Sequence, residues 1–145
     1  MDFFDAINTS SAALSAQRLR MNLISGNLAN LNTTRTRAGG PYRRKEAVFA
    51  AEPLNRSFRQ ILADSRDKQL ATVKVAGVIE DRNPPVMKYD PGHPDADENG
   101  YVAMPNINLI EEMVNMISAS RGYEANVTAL KAAKDMALKA LEIGR

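Results

Sequence analysis

The stretch that decides the fold is residues 109–144, LIEEMVNMISASRGYEANVTALKAAKDMALKALEIG. Apolar or small residues recur in it at alternating steps of three and four, the spacing that puts side chains on one stripe of a helix. The stripe runs through Leu109, Met113, Met116, Ser120, Tyr123, Val127, Leu130, Lys134, Ala137 and Leu141. A flanking row widens the apolar face over the first three turns: Ile110, Val114 and Ile117. This pattern predicts a helix roughly 55 Å long, preceded by Pro105 and Asn106 and ended by Gly144.

A matching stripe lies near the other end of the chain, between Phe3 and Leu31. One row of apolar residues is spaced seven apart, and a second row fills the positions three or four residues away, which predicts another helix with one apolar side. The two rows are Ile7, Leu14, Met21 and Leu28, and Phe3, Ser10, Gln17, Ile24 and Leu31. Asparagines at positions 27, 30 and 32, followed by two threonines, are poor helix formers and predict its end after roughly 45 Å.

Two helices of unequal length can pair antiparallel within one chain, but the wide face at the start of the longer one then stays uncovered. Such an uncovered apolar face indicates a surface for other proteins. Ordering a thin helix pair costs nearly as much free energy as its burial returns, so we expect firm order to await neighbouring subunits. The residues predicted to form subunit interfaces are Ile7, Leu14, Met21, Ile24, Leu28, Leu31, Ile110, Met113, Val114, Ile117, Tyr123, Val127, Leu130 and Leu141.

The chain between the two stripes has a different character. Gly39-Gly40-Pro41 is a strong breaker, and residues 42–49 are predicted to be extended. Residues 73–79 have the valine-rich pattern of a strand with a bulge near Ala76-Gly77. Pro84-Pro85 turns the chain, so that residues 86–89 can pair back, and residues 101–104 form a third short strand.

Residues following Pro53 are predicted to form a short helix that uses Leu54, Phe58, Ile61 and Leu62. Taken together, the patterns predict a mainly α protein in which two long terminal helices form a coiled-coil-like pair around a small β-hairpin and loop module. The expected boundaries are 1–32 for the first helix, 33–104 for the intervening module and 105–145 for the second helix.

Composition excludes most enzymatic chemistry. At 145 residues the chain has room for one ordinary domain, and its formal net charge is only +2. The sequence has no cysteine and one histidine, His93, so thiolate chemistry and most zinc sites are excluded. We therefore expect no catalytic residues, no metal and no cofactor. The first residues lack the basic and apolar regions of a cleaved signal peptide, and no segment has the length and apolarity of a membrane span.

The stretch most similar to a ligand site is acidic. Asp95, Asp97, Asn99 and Gly100 match the first half of a calcium-binding loop. The glutamate required at the twelfth position is missing, because Asn106 stands there. The alternative is a polar turn in which Asp and Asn side chains cap backbone amides, and this is the interpretation we favour.

Two basic clusters also have alternative interpretations. The first, Arg35, Arg37, Arg43, Arg44 and Lys45, could contact nucleic-acid phosphates. It has no accompanying nucleic-acid-binding motif, which favours a solvated or inter-subunit patch facing the acidic 90–98 loop of a neighbour. The second lies in the last helix, where Lys131, Lys134 and Lys139 flank two leucines and could rest on a membrane surface. Here we favour the edge of a helix–helix seam, with Lys134 on the seam itself.

Several short strings resemble one known family. Four of them are similar to the N-terminal signature of flagellar axial proteins: SAAL at 11–14, QR at 17–18, MN at 21–22 and SGNLAN at 25–30. Others resemble the rod proteins of the flagellar basal body: NTTRT at 32–36, GGPYRRK at 39–45, YDPGHPDAD at 89–97, GYV at 100–102, EMVNMI at 112–117 and RGYEANV at 121–127. The resemblance covers nearly the whole chain except residues 50–72.

This resemblance implies a structural role. Such a subunit would lie in the proximal rod, the periplasm-spanning drive shaft that transmits torque in the bacterial flagellum. It would pass through the flagellar type III export apparatus without a cleaved signal peptide. It would then assemble through its terminal helices with copies of itself and with other rod proteins, without nucleic acid.

Overall fold

The computed structural model describes residues 3–53 and 71–143. Its elements, in chain order, are helix α1 (Phe3–Ala29), strands β1 (Lys45–Pro53), β2 (Ala71–Glu80), β3 (Val86–Tyr89) and β4 (Tyr101–Met104), and helix α2 (Leu109–Ile143). Strand β1 pairs with β2 and β3 with β4, so the strands form two separate antiparallel ribbons. The prediction of two long terminal helices around a small antiparallel strand module is therefore confirmed.

The two helices pack against each other in antiparallel fashion. Asn27 of α1 lies beside Glu112 of α2. Ten residues further back in α1, Gln17 lies beside Gly122, which is ten residues further on in α2, so the register is constant between these two points. Among the described residues, the buried hydrophobic side chains are Ala16, Ile24, Val102 and Ala119. The small side chains of Ala16 and Ala119 permit close approach of the helices, and the core is thin.

The helix ends follow local hydrogen bonding. Helix α1 ends at Ala29, where the Asn30 side chain donates to the Gly26 carbonyl at 2.8 Å. Helix α2 is capped by Asn108, whose Oδ1 accepts the Ile110 amide at 3.0 Å and satisfies a free donor of the first turn. The helix begins at Leu109, where the predicted 3–4 pattern begins, and Gly144, its predicted end, lies outside the described residues.

The β1–β2 ribbon contains the predicted bulge. Val48 is paired with Gly77 and Phe49 with Val75, which leaves Ala76 as the extra residue on β2. Strand β1 continues to Pro53, so this residue belongs to the strand rather than to the helix predicted to follow it. Pro53 is held in the strand by its pairing with Ala71 of β2. The rest of that predicted helix, Leu54 to Leu62, lies outside the described residues.

The β3–β4 ribbon corrects a second expectation. Residues 86–89 do not pair back on β2; they pair with 101–104, from Val86 with Met104 to Tyr89 with Tyr101. The reason lies in the connecting loop, where the Asp97 carboxylate accepts the amides of Asn99 at 2.9 Å and Tyr101 at 2.8 Å. These bonds close a local hairpin, and they are those of the polar turn favoured above. Within residues 3–53 and 71–143, no cluster of His, Asp and Glu side chains is arranged to hold a metal ion.

Candidate assembly interface

A buried carboxylate fixes the junction of the helices and the strands. Glu112, in the first turn of α2, is 1% exposed. Its Oε1 accepts from Arg44 Nε at 2.8 Å, and its Oε2 accepts from Asn27 Nδ2 at 2.9 Å. A buried charge is tolerated only when it is paired and hydrogen-bonded. This carboxylate therefore holds the start of α2 against α1, through Asn27, and against the residue before β1, through Arg44.

Asn27 is the second centre of this cluster. Its amide group also donates to the Lys45 carbonyl at 2.9 Å, while its Oδ1 accepts the Lys45 amide at 2.9 Å and the Tyr42 hydroxyl at 3.2 Å. Both amide hydrogens and both oxygen lone pairs are thus used. The side chain pairs with the backbone at the start of β1 as a neighbouring strand would, which fixes the β1–β2 ribbon relative to α1.

The electrostatics of the cluster follow from burial. Burial alone would lower the pKa of the Arg44 guanidinium, but the hydrogen bond and charge of Glu112 outweigh it, so the pKa is raised. Burial also raises the pKa of the Tyr42 hydroxyl, against the opposing charge of Lys45. Arg44 therefore remains charged at physiological pH, and the ion pair with Glu112 is maintained.

This cluster changes the interpretation of the basic stretch. Arg44 and Lys45 were predicted to lie in a solvated or inter-subunit patch, but Arg44 contacts Glu112 of its own chain. The acidic loop is likewise contacted from within the chain, since Thr34 Oγ1 donates to Asp95 Oδ2 at 2.7 Å. Arg35, Arg37 and Arg43 remain exposed.

The sequence alone assigned Asn27 to the end of the first helix and gave Glu112 no partner. The sequence does contain a signal for the buried positions of Asn27 and Glu112, namely their spacing from other buried residues of the same helix. Glu112 lies seven residues before Ala119 and Asn27 three residues after Ile24, so both fall on the buried faces of their helices. A polar residue at a buried helical position implies a polar partner.

The second feature of the site is an apolar surface on α2 that faces away from α1. We call it the outer row: Leu109, Ile110, Met113, Val114 and Ile117. These side chains are between 47% and 73% exposed, although all five are large and apolar. The prediction that the apolar face at the start of the second helix stays uncovered is confirmed for the single chain. A contiguous apolar surface of this kind is typical of interaction sites.

The predicted interface residues therefore separate into two groups. Ile24 is buried; eight others are half-buried, namely Ile7, Leu14, Met21, Leu28, Leu31, Tyr123, Val127 and Leu130. The exposed group consists of Leu141 and four members of the outer row: Ile110, Met113, Val114 and Ile117.

Part of the predicted α2 stripe lies outside the contact with α1. Leu109, Met113, Lys134 and Leu141 are exposed rather than on the seam with α1. The seam is shifted towards Glu112, Ala119 and the position of Gly122, because small residues allow the closest helix approach. Within the part of the chain that the structure describes, neither helix is long and apolar enough to cross a membrane.

Comparison with known families identifies the class of protein. Residues 7–35 match the family model described as flagella basal body rod protein, and residues 98–143 match the one described as flagellar basal body rod FlgEFG protein C-terminal. The first match covers most of α1 and the turn after it, and the second covers β4 and α2. The paired terminal helices thus define the chain as a flagellar basal-body rod protein.

Full-length relatives narrow this class to one family. The chain is 47% identical to the flagellar basal-body rod protein FlgC of Borreliella burgdorferi, over 99% of this chain and 98% of that protein. It is 43% identical to FlgC of Bacillus subtilis and 39% identical to FlgC of Salmonella typhimurium, in both cases over the full length of both chains. The chain belongs to the FlgC family. Its members are structural rod subunits, not enzymes.

Proposed function

We propose that this chain is a subunit of the proximal rod and that the outer row of α2 is a surface by which it joins the rod. One observation carries the proposal: five large apolar side chains on consecutive turns are exposed in the single chain. Burying an exposed residue of this size stabilises an assembly by about 1.5–3 kcal/mol before the entropy of association is subtracted. Because the five side chains are already partly buried, each has only part of this gain left, and association is favoured by their combined burial.

The internal geometry supports this assignment. The Glu112–Arg44 pair and Asn27 hold the first turn of α2 in place, and the outer row begins in that same turn. Because these contacts already fix the first turn of α2, that turn loses little conformational entropy when the outer row is covered. We propose that the helices form a coiled-coil-like pair whose half-buried seam residues, such as Leu14 and Val127, tighten on assembly.

The chain then divides by role. Residues 1–32 and 105–145 form the helical part that packs into the shaft, and residues 33–104 form the module at its side. Copies of the chain and other rod proteins are the partners. The subunit reaches the periplasm through the flagellar type III export apparatus, and the assembled shaft transmits torque.

The test uses exposed residues, so that folding and assembly can be separated. The variant I110D/V114D places two carboxylates on the outer row, and the control T128D places one on an exposed position further along α2. Both chains should keep the parental circular dichroism spectrum. Only T128D should restore swimming to a strain lacking the native protein and co-purify with basal bodies. Normal swimming with I110D/V114D would contradict the proposal.

A further inference from the structure

A second exposed apolar surface lies at the far end of α2. The register set by Asn27 beside Glu112 and Gln17 beside Gly122 places Phe3, the first described residue of α1, level with Met136. Residues 137–143 therefore extend about 10 Å past the described part of α1. We call this segment the overhang. It exposes three large apolar side chains, with Leu138 at 49%, Leu141 at 71% and Ile143 at 87%.

The outer row and the overhang cannot cover each other within one chain. They belong to one continuous helix, and about 30 Å separates Ile117 from Leu138 along its axis. Both surfaces expose large apolar side chains that the described part of the chain does not cover. A second chain can cover them. Resting on the function proposed above, we propose that the overhang of one copy packs on the outer row of the next copy.

Charge favours this head-to-tail arrangement over the symmetric alternatives. Glu111 is exposed beside the outer row, whereas Lys134 and Lys139 are exposed among the apolar residues near the overhang. Residues 131–143 hold three lysines and two acids, which leaves a net positive charge at this end. Two outer rows face to face would oppose Glu111 with Glu111, and two overhangs would oppose Lys139 with Lys139.

The helix dipole acts in the same direction. The end of a helix carries partial negative charge and its start partial positive charge. Placing the end of α2 from one copy near the start of α2 in the next copy brings these opposite partial charges together. Such a contact joins two different surfaces, so every added copy leaves one outer row and one overhang free. This geometry builds an open chain of subunits rather than a closed dimer.

Cysteine cross-linking of the full-length chain tests the arrangement, because the sequence has no native cysteine. One variant, I110C, marks the outer row, and another, L141C, marks the overhang. The control, T128C, marks an exposed site between them. One chain of each mixture carries a longer affinity tag, so that the three possible disulfide dimers separate on a gel.

We expect the mixed I110C–L141C dimer to form faster than either symmetric dimer and faster than the T128C–L141C dimer. Charge reversal by E111K on the I110C chain should slow it about two- to fivefold, the scale of exposed ion pairs. K139E on the L141C chain should restore the rate. Predominance of I110C–I110C dimers would overturn the head-to-tail contact, as would a mixed rate equal to that of the T128C control.

These outcomes are distinguishable from failure of the proposed function. If I110D/V114D abolishes swimming while the mixed cross-link stays at the control rate, the outer row is an assembly surface but the overhang of a second copy is not its partner. If I110D/V114D leaves swimming intact, the proposed function itself is wrong.

Discussion

Arg44 Nε and Glu112 Oε1 lie 2.8 Å apart and join the residue before β1 to the first turn of α2, across 68 positions of the chain. The carboxylate of this pair is 1% exposed, and the guanidinium side chain is 22% exposed. The pair is thus shielded on the Glu112 side and open to water on the Arg44 side. It connects the part of the chain that forms strands with the helix that presents the outer row.

Neutralising this carboxylate should weaken the fold. In E112Q the side chain keeps its shape but loses its charge, which leaves Arg44 partly desolvated without a counter-ion. We expect a loss of about 2–3 kcal/mol, below the cost for a fully buried pair because Arg44 retains contact with water. Denaturant unfolding measures this, with E111Q as the control. Glu111 is exposed one residue away, so E111Q should change stability by less than about 0.5 kcal/mol.

A second carboxylate next to Glu112 should make stability depend on pH. In N27D, the new carboxylate takes the place of the Asn27 amide, which lies 2.9 Å from Glu112 Oε2. Repulsion between the carboxylates raises the pKa of one of them in the folded state above its unfolded value. The folded state then binds more protons, so stability should be lowest at neutral pH and recover on mild acidification.

Thermal melts across that pH range check the result for N27D. The matched control is N22D, which introduces the same group at an exposed position of α1. N22D should follow the pH dependence of the parent chain. An N27D protein whose melting temperature tracks that of N22D at every pH would show that the cluster does not bury charge as described.

Close helix contact makes Gly122 sensitive to size. A methyl group added at this position would lie 3.3 Å from Gln17 Nε2 and 3.4 Å from Gln17 Cδ, so a larger side chain must displace the Gln17 side chain from the contact between the helices. G122L should cost about 1–3 kcal/mol through overpacking. A125L adds the same side chain at an exposed site of α2 and should be nearly neutral. Comparing the melting temperatures of the two variants is the measurement, and equal values would argue against the constant register.

Assembly should require that the residues before and after Val127 keep their relative orientation around the axis of α2. Inserting one alanine after Val127 rotates every later residue by about 100°, which turns Leu130 and Ala137 away from α1. It also moves the overhang relative to the outer row, so swimming should be lost. The control inserts one residue between Gly39 and Gly40, where the chain forms an exposed turn. A chain with the Val127 insertion that still supports swimming would contradict the proposed role of the seam.

The sequence was most informative where a pattern is local. The 3–4 spacing after Leu109 predicted α2, and the Ala76-Gly77 interruption of a valine-rich strand predicted the bulge, because both depend on neighbouring residues. The pairing of β3 was mispredicted because its partner is selected by Asp97, whose carboxylate closes the hairpin loop. Such competition between possible partners is not visible in strand propensities.

The site was only partly predictable for a related reason. Counting large apolar residues found the outer row but placed Lys134 on the seam, since the count gave little weight to Ala119 and Gly122. These small residues set the closest contact between the helices, and that contact decides which face is buried. The Asn27–Glu112–Arg44 cluster joins three segments that lie far apart in the chain, so no local pattern contains it.

A structure of the intact basal body with this chain in place tests the central claim most directly. The outer row should be buried against a neighbouring subunit, with Ile110 and Val114 losing most of the 73% and 61% exposure that they have in the single chain. The Glu112–Arg44 pair should be unchanged. An assembled rod in which Ile110 and Val114 still face solvent would contradict the account.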